Sequence, residues 1–274
     1  MLRGYYTAAA GMLAQQRRQE TLSNNIANAL TPGYKADQAT LKSFPELLIN
    51  KVQSKQISSS KGVHIPMMRK IGSLNTGVYV QETIPDFSQG ALKETGMTTD
   101  MAIVGGVMPD DTGGLFFTVQ NAGGDVRYTR NGNFTVDGQG FLTTQEGYYV
   151  LDARGNRIAT DGEDFTVTAD GTVQLAGGNV NVGVAYSANA NDLVKNGESL
   201  YQLAEGGELL VDARANNAVT FSVKQNYLES SNVDPNRAMT EMMQAYRVFE
   251  SNQSVLKAYD QSMEKAVNEI ARLR

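Results

Sequence analysis

The sequence predicts an α+β protein, with long N- and C-terminal helices of coiled-coil type and a central, mainly antiparallel β domain. Two helical periodicities and one strand periodicity predict it. Apolar residues recur at helical spacing over residues 1–28 and again from Pro235 onward, whereas between about 76 and 225 they alternate with period two among glycine-containing turns. The 274 residues include 27 glycines, about a tenth of the chain against roughly 7% in average proteins.

Four segments follow in order. Residues 1–35 read as an N-terminal assembly helix and turn. Leu2, Tyr5, Ala9, Met12 and Ile26 fall on a 3–4 spacing, Tyr6, Leu13 and Ala27 widen the stripe, and Gln16, Gln19 and Ser23 interrupt it. Pro32 stops the helix, because proline lacks an N–H and disfavours helical geometry at Thr31. Residues 36–75, including the Lys- and Ser-containing Ser54–Gly62 stretch, read as a connector.

The β domain is expected over 76–225. Val180, Val182, Val184 and Tyr186 alternate strictly, as do Val219, Phe221 and Val223. Asn131-Gly132, Asp137-Gly138, Asp161-Gly162, Asp170-Gly171 and Asn196-Gly197 offer the positive φ that tight hairpin turns require. Phe134 to Phe141 reads as one complete hairpin.

Residues 226–274 read as the C-terminal assembly helix. Asp234 is a good N-cap and Pro235 suits the first helical position, where its missing N–H costs nothing. Met242, Phe249, Leu256, Met263 and Ile270 recur every seven residues, and Met239, Tyr246 and Val267 form an interleaved row broken by Gln253 and Asp260. Arg272 and Arg274 complement the negative end of the helix dipole. One such seam does not repay the entropy of ordering the whole helix, so it needs a partner surface. That surface is the N-terminal helix, the β domain, or a neighbouring molecule.

Composition removes several function classes. With no Cys and one His, disulfides, thiolate sites, a Cys nucleophile and a His-rich metal site are excluded, and no cofactor is expected. A net charge of -5 argues against nucleic-acid binding, and no stretch approaches the roughly 20 apolar residues of a membrane span. Gly4, Gly11 and the polar run from Gln15 to Arg18 break up any export-signal core, so no cleavable signal is expected.

No catalytic constellation emerges either. His64 reads as an incidental packing residue, Asp110-Asp111 as a solvated loop, and Arg17-Arg18 as a solvated face. Asp125, Asp137, Asp152 and Asp170 sit in turn contexts where Asp serves the backbone, although two of them at the right separation would make a glycosidase pair. Gly105-Gly106 and Gly113-Gly114 lack the Lys-Ser/Thr of a phosphate loop. The chain is therefore expected not to be an enzyme.

Two terminal stretches carry a resemblance. Ser23-Asn24-Asn25-Ile26-Ala27-Asn28-Ala29-Leu30-Thr31-Pro32-Gly33-Tyr34-Lys35 resembles the N-terminal signature of the bacterial flagellar rod and hook (axial) protein family. Asn226-Tyr227-Leu228-Glu229-Ser230-Ser231-Asn232-Val233, followed by Met239–Tyr246, is similar to its C-terminal signature. Asp86–Leu92, Gly114–Val119 and Tyr128–Phe134 match central segments, in order. The ordered set is most like the distal-rod branch and its Gram-positive paralogues. Leu30, where the family usually has Asn, and an apparent insertion at Val107–Gly113 depart from the pattern.

The resemblance implies a structural subunit of the flagellar basal-body rod, polymerising helically and transmitting torque from motor to hook. It implies paired terminal helices, partners that are further copies and other axial proteins of rod and hook, and passage through the flagellar export apparatus without signal cleavage. A hook or proximal-rod role is the first alternative, and a secreted glycan-processing enzyme is the alternative of another class.

Overall fold

The computed structural model describes residues 2–56, 64–110, 112–121, 123–160, 162, 165–175, 177–197, 199–203 and 209–271, with the side chains of 2, 48–56, 64–71 and 270–271 left aside. It divides into two compact units. The first comprises Met1–Ser23, Gln38–Thr83 and Asn236–Arg274; the second comprises Asn24–Asp37 and Ile84–Pro235.

Two long helices dominate the first unit. Helix α1 spans Leu2–Ala27 and helix α2 spans Pro235–Ala271. They run antiparallel. Gly4 lies against the Tyr259 hydroxyl and Gly11 against the Asn252 amide, while Arg18 Nη2 pairs with Glu241 Oε2 at 3.2 Å, so α1 ascends as α2 descends. Glycine at positions 4 and 11 leaves room for the opposing side chains. The α2 side of the contact contains the expected seven-spaced row: Met242, Phe249, Leu256 and Met263 are all half-buried.

The interleaved row, however, is displaced by one position. Ala238 and Ala245 are buried, and Asn252, Tyr259 and Ala266 are half-buried. Met239, Tyr246 and Val267, expected to fill that row, are 51%, 53% and 67% exposed. Steps of four and three from 238 through 266 follow the inward stripe of a heptad helix, whereas the bulkier residues one place along point outward. On α1, Tyr5, Ala9, Met12 and Ile26 are half-buried, but Tyr6 and Leu13 are exposed. The Leu2 and Ile270 side chains, and Arg272 and Arg274, lie outside the described residues.

The stretch 36–75 contains strands where a connector was expected. Asp37–Ser43 pairs with Val78–Pro85, and Leu47–Gln56 pairs antiparallel with His64–Leu74 from Leu47↔Leu74 to Gln56↔His64. The described strands lack the alternation of a half-buried strand, which hides them from a periodicity argument, and residues 57–62 of the Ser54–Gly62 stretch lie outside the described residues.

In the second unit a nine-stranded antiparallel sheet is organised around Gly114–Gln120. One edge of that strand pairs with Val126–Thr129; the other is shared by Val184–Ser187 and Tyr149–Val150. Consecutive residues on the central strand serve opposite faces. Phe117 and Val119 enter a core with Phe134, Leu142, Val150, Val173, Val182 and Val184, while Phe116 joins Tyr128, Leu193 and Tyr201 in a second cluster. Phe117 meets Phe134 edge-on with centroids 5.1 Å apart. The expected hairpin is present, with Phe134–Val136 pairing with Leu142–Thr144 and Asp137 Oδ1 accepting from the N–H groups of Gln139 and Phe141.

The glycines act differently from the expectation. Among the four dipeptides that are fully described, Gly171 and Gly197 adopt positive φ, at 76° and 61°, whereas Gly132 and Gly138 do not; in the hairpin that role falls to Gly140, at 86°. Gly132 answers to space instead. Its Cα faces the Met101 carbonyl so closely that a Cβ would overlap the oxygen, and its own carbonyl accepts from Met101 N at 3.0 Å. Gly132→Ala is therefore expected to cost roughly 1–3 kcal/mol in urea unfolding, while Gly138→Ala, with nothing within 4 Å of the new Cβ, stays within about 0.5 kcal/mol of wild type.

Candidate functional site: the junction of the two chain ends

The two terminal signatures meet each other in the second unit. The first builds a rigid turn. Asn28 Nδ2 donates to both the Asn24 carbonyl at 2.9 Å and Asn24 Oδ1 at 2.7 Å, and Asn28 Oδ1 accepts from Thr31 Oγ1. Asparagine serves here because one amide donates and accepts, satisfying carbonyls that the ending helix leaves open. Pro32 prevents the helix from continuing, and Gly33 reverses the chain at φ 68°.

Residues 33–37 then lie along the C-terminal signature. Gly33 N donates to the Glu229 carbonyl at 2.7 Å, Ala36 N to Asn232 Oδ1 at 2.8 Å, and Asp86 N to the Ala36 carbonyl at 2.8 Å. Asn232 Nδ2 donates to the Asp86 carbonyl at 2.8 Å and to Ser88 Oγ at 3.0 Å, so one amide ties three segments. Strand Tyr227–Glu229 pairs with Leu92–Glu94, and Ser230 N continues the contact to the Ala91 carbonyl. Ser231 Oγ accepts from Val233 N in the exit turn.

A buried ion cluster sits at the crossing. Glu229 Oε1 accepts from Lys35 Nζ at 2.7 Å and from Gly90 N at 2.9 Å, and Glu229 Oε2 lies 2.8 Å from Arg130 Nη2. The Lys35 and Glu229 side chains are each 1% exposed and Arg130 is 7% exposed. Burial first, and then the neighbouring Arg130 charge, hold the Lys35 ammonium below its ordinary range. Arg130 also donates to the Leu115 carbonyl at 2.9 Å, anchoring the cluster to the central strand.

Tyr34 forms the other side. Its hydroxyl donates to Asn25 Oδ1 at 3.2 Å, and Lys195 Nζ lies 3.8 Å from the ring centroid while pairing with Asp37 at 3.0 Å. Burial and the Asp37 carboxylate push the phenol well above its ordinary value. Asn25 closes the loop by donating to the Asp37 carbonyl and accepting from Asp37 N.

The signature residues Asn24, Asn25, Asn28, Thr31, Gly33, Tyr34 and Asn232 are thus brought together, whereas Ser23 is exposed on α1. Lys35, Glu229 and Arg130 lie inside the quoted motifs, yet periodicity and motif spacing do not mark them as site residues. The available signal was three ionisable residues embedded in otherwise uncharged or apolar signature segments. Leu30, at the tip of the turn, is 94% exposed.

Two of the acids weighed for catalysis are spent on turns and two others have partners of their own. Asp137 and Asp152 each accept from two backbone N–H groups of their own loops, and Asp125 pairs with Arg127 at 3.7 Å. Asp110 accepts from the Tyr186 hydroxyl; Asp111 and the His64 side chain lie outside the described residues. The described residues contain no group of three His, Asp or Glu able to hold a metal, and no described helix is long and apolar enough to cross a membrane.

Replacing Asn232 with Ala removes an acceptor for Ala36 N and the donor to Asp86. The expected loss is about 1–3 kcal/mol, read by urea unfolding, with the Ala36 amide exchanging faster.

The chain is also similar to known proteins. Residues 6–35 match the flagella basal body rod protein family, 112–175 the flagellar hook protein FlgE/F/G D1 domain, and 224–269 the flagellar basal body rod FlgEFG protein C-terminal family. The chain is 43% identical to the flagellar hook-basal body complex protein FlhO of Bacillus subtilis, covering 100% of both chains. It is 30% identical to the flagellar basal-body rod protein FlgG of the same organism, over 98% of this chain and 99% of that one, and 32% identical to FlgG of Agrobacterium fabrum, over 95% and 96%.

Proposed function

The chain belongs to the flagellar basal-body rod and hook protein family, and we propose that it polymerises helically with further copies and neighbouring axial subunits to carry torque from motor to hook. It is a structural subunit of the basal body, not an enzyme. The observation that carries the proposal is the outward row of α2. Met239, Met243, Tyr246 and Val267 are 51–67% exposed, although a packed helix pair has no use for large apolar side chains in water.

A second apolar surface in the first unit supports the same reading. An open groove of about 840 Å³ is lined by Tyr6, Ala10, Leu13, Phe44, Val78 and Val80 among others. An outward row that meets a groove on another copy makes a head-to-tail contact, which grows a filament when the rotation does not close. The half-buried row of α2 would hold α1 in coiled-coil fashion, and the exposed row would hold the neighbour.

Within this proposal residues 1–35 and 226–274 serve assembly and junction, 76–225 form the β domain, and 36–75 connect them in sequence. Export by the flagellar apparatus fits the same reading. The Ser23–Tyr34 and Ser230–Val233 signatures act as the hold on the chain ends rather than as the polymer contact. A hook or proximal-rod position remains the second reading, favoured by the match of 112–175 to a domain named for the hook protein as well.

The two surfaces are separable by mutation. Met239→Asp with Tyr246→Asp is expected to leave unfolding within about 0.5 kcal/mol of wild type while abolishing rod assembly and swimming in soft agar. Phe249→Asp, within the helix pair, is expected to lose both helical signal and motility. Normal swimming by the Met239/Tyr246 double variant would defeat the proposal.

A further inference from the structure

The ion cluster at the junction has unequal charge. Two cations, Lys35 and Arg130, share one buried carboxylate, Glu229. The next acid acting on Lys35 is Asp86, which is half-buried and already accepts from Ser88 N. Glu229 is contributed 194 residues after Lys35, from a strand that follows every strand of the nine-stranded sheet. Arg130 is not peripheral to that sheet: its guanidinium donates to the Leu115 carbonyl on the central strand and reaches the Ile103 carbonyl on Met101–Gly105.

Removing one partner from a buried ion pair leaves a charge that neither water nor protein compensates. A chain folded up to residue 225 would bury two such charges side by side, in contact with the sheet's own backbone. We propose that Glu229 is a completion latch: its carboxylate permits Lys35 and Arg130 to be buried, so the second unit folds only when the C-terminal signature has reached the junction. The latch holds for the single chain and stands whether or not the subunit polymerises. Its consequence is an order of events. A chain emerging N-terminus first stays open until almost all of it is free, and the two ends are then fixed in one step.

The cluster's asymmetry supplies the test. In the full chain, Lys35→Met leaves Arg130 and Glu229 as a neutral pair, and the Ser88 carbonyl, which accepts from Lys35 Nζ at 2.6 Å, keeps Asn232 Nδ2 at 3.3 Å. Glu229→Gln leaves two positive charges, and the double variant leaves one. Hydrogen exchange at Val119 and Val150 in the sheet, and at Gly33 and Ala36 in the junction, distinguishes a latch from a local fastening. Glu229→Gln is expected to lower protection at all four amides together, by roughly 100-fold or more. Lys35→Met is expected to stay within about tenfold of wild type, and Lys35→Met/Glu229→Gln to recover much of the loss.

Fraying of Gly33 and Ala36 with the sheet amides unchanged would overturn the latch, as would Lys35→Met damaging the sheet as severely as Glu229→Gln. If Glu229→Gln does not fold, cooperative urea unfolding regained in the double variant supports the latch. Failure of both to fold overturns the charge argument.

Discussion

The second unit depends on a few bonds between residues far apart in sequence. Gly33 N on the Glu229 carbonyl, Lys35 on the Glu229 carboxylate and Ala36 N on Asn232 Oδ1 fix the segment after α1 against the segment before α2. None crosses a large apolar surface, and each satisfies a backbone group or a charge that would otherwise be buried alone. Such contacts add little net free energy when made and cost a great deal when half-made. They therefore specify where the chain ends lie more than they stabilise them, and the β core of Phe117, Phe134 and Val184 supplies the apolar burial.

The two units rest on different physics. The sheet is held by aromatic and β-branched side chains packed on both faces of Gly114–Gln120. The helix pair is held by a thinner stripe in which Gly4 and Gly11 admit Tyr259 and Asn252, and Ala238 and Ala245 keep the inward face narrow. Beside the inward Met242, Phe249, Leu256 and Met263, that stripe leaves Met239, Met243, Tyr246 and Val267 facing outward.

Much of this was legible in the sequence because periodicity records burial. The seven-residue spacing of Met242, Phe249, Leu256 and Met263 locates the inward side of α2, and the valine alternation around Val184 and Val223 locates strands. Reading large apolar side chains as inward misplaced the second row, since alanine carries too little hydrophobicity to mark Ala238 and Ala245 as interface. Turn glycines were visible as residues but not as roles: Gly171 supplies a positive φ whereas Gly132 supplies clearance for a carbonyl 31 positions away. The strands between 37 and 74 lay beyond reach because unalternating strands leave no period, and the Lys35–Glu229–Arg130 cluster showed only as three lone charges in otherwise uncharged segments, with nothing local to pair them.

The central claim is that the chain ends are fixed in the single subunit while the outward helix rows await a neighbour. Hydrogen exchange on the free subunit and on the assembled filament tests it directly. The account predicts slow exchange at Gly33, Ala36 and Gly90 in both states, with α1 and α2 amides at least about tenfold more protected in the filament. Fast exchange at the junction in the filament, or helix protection that is the same in both states, would contradict it.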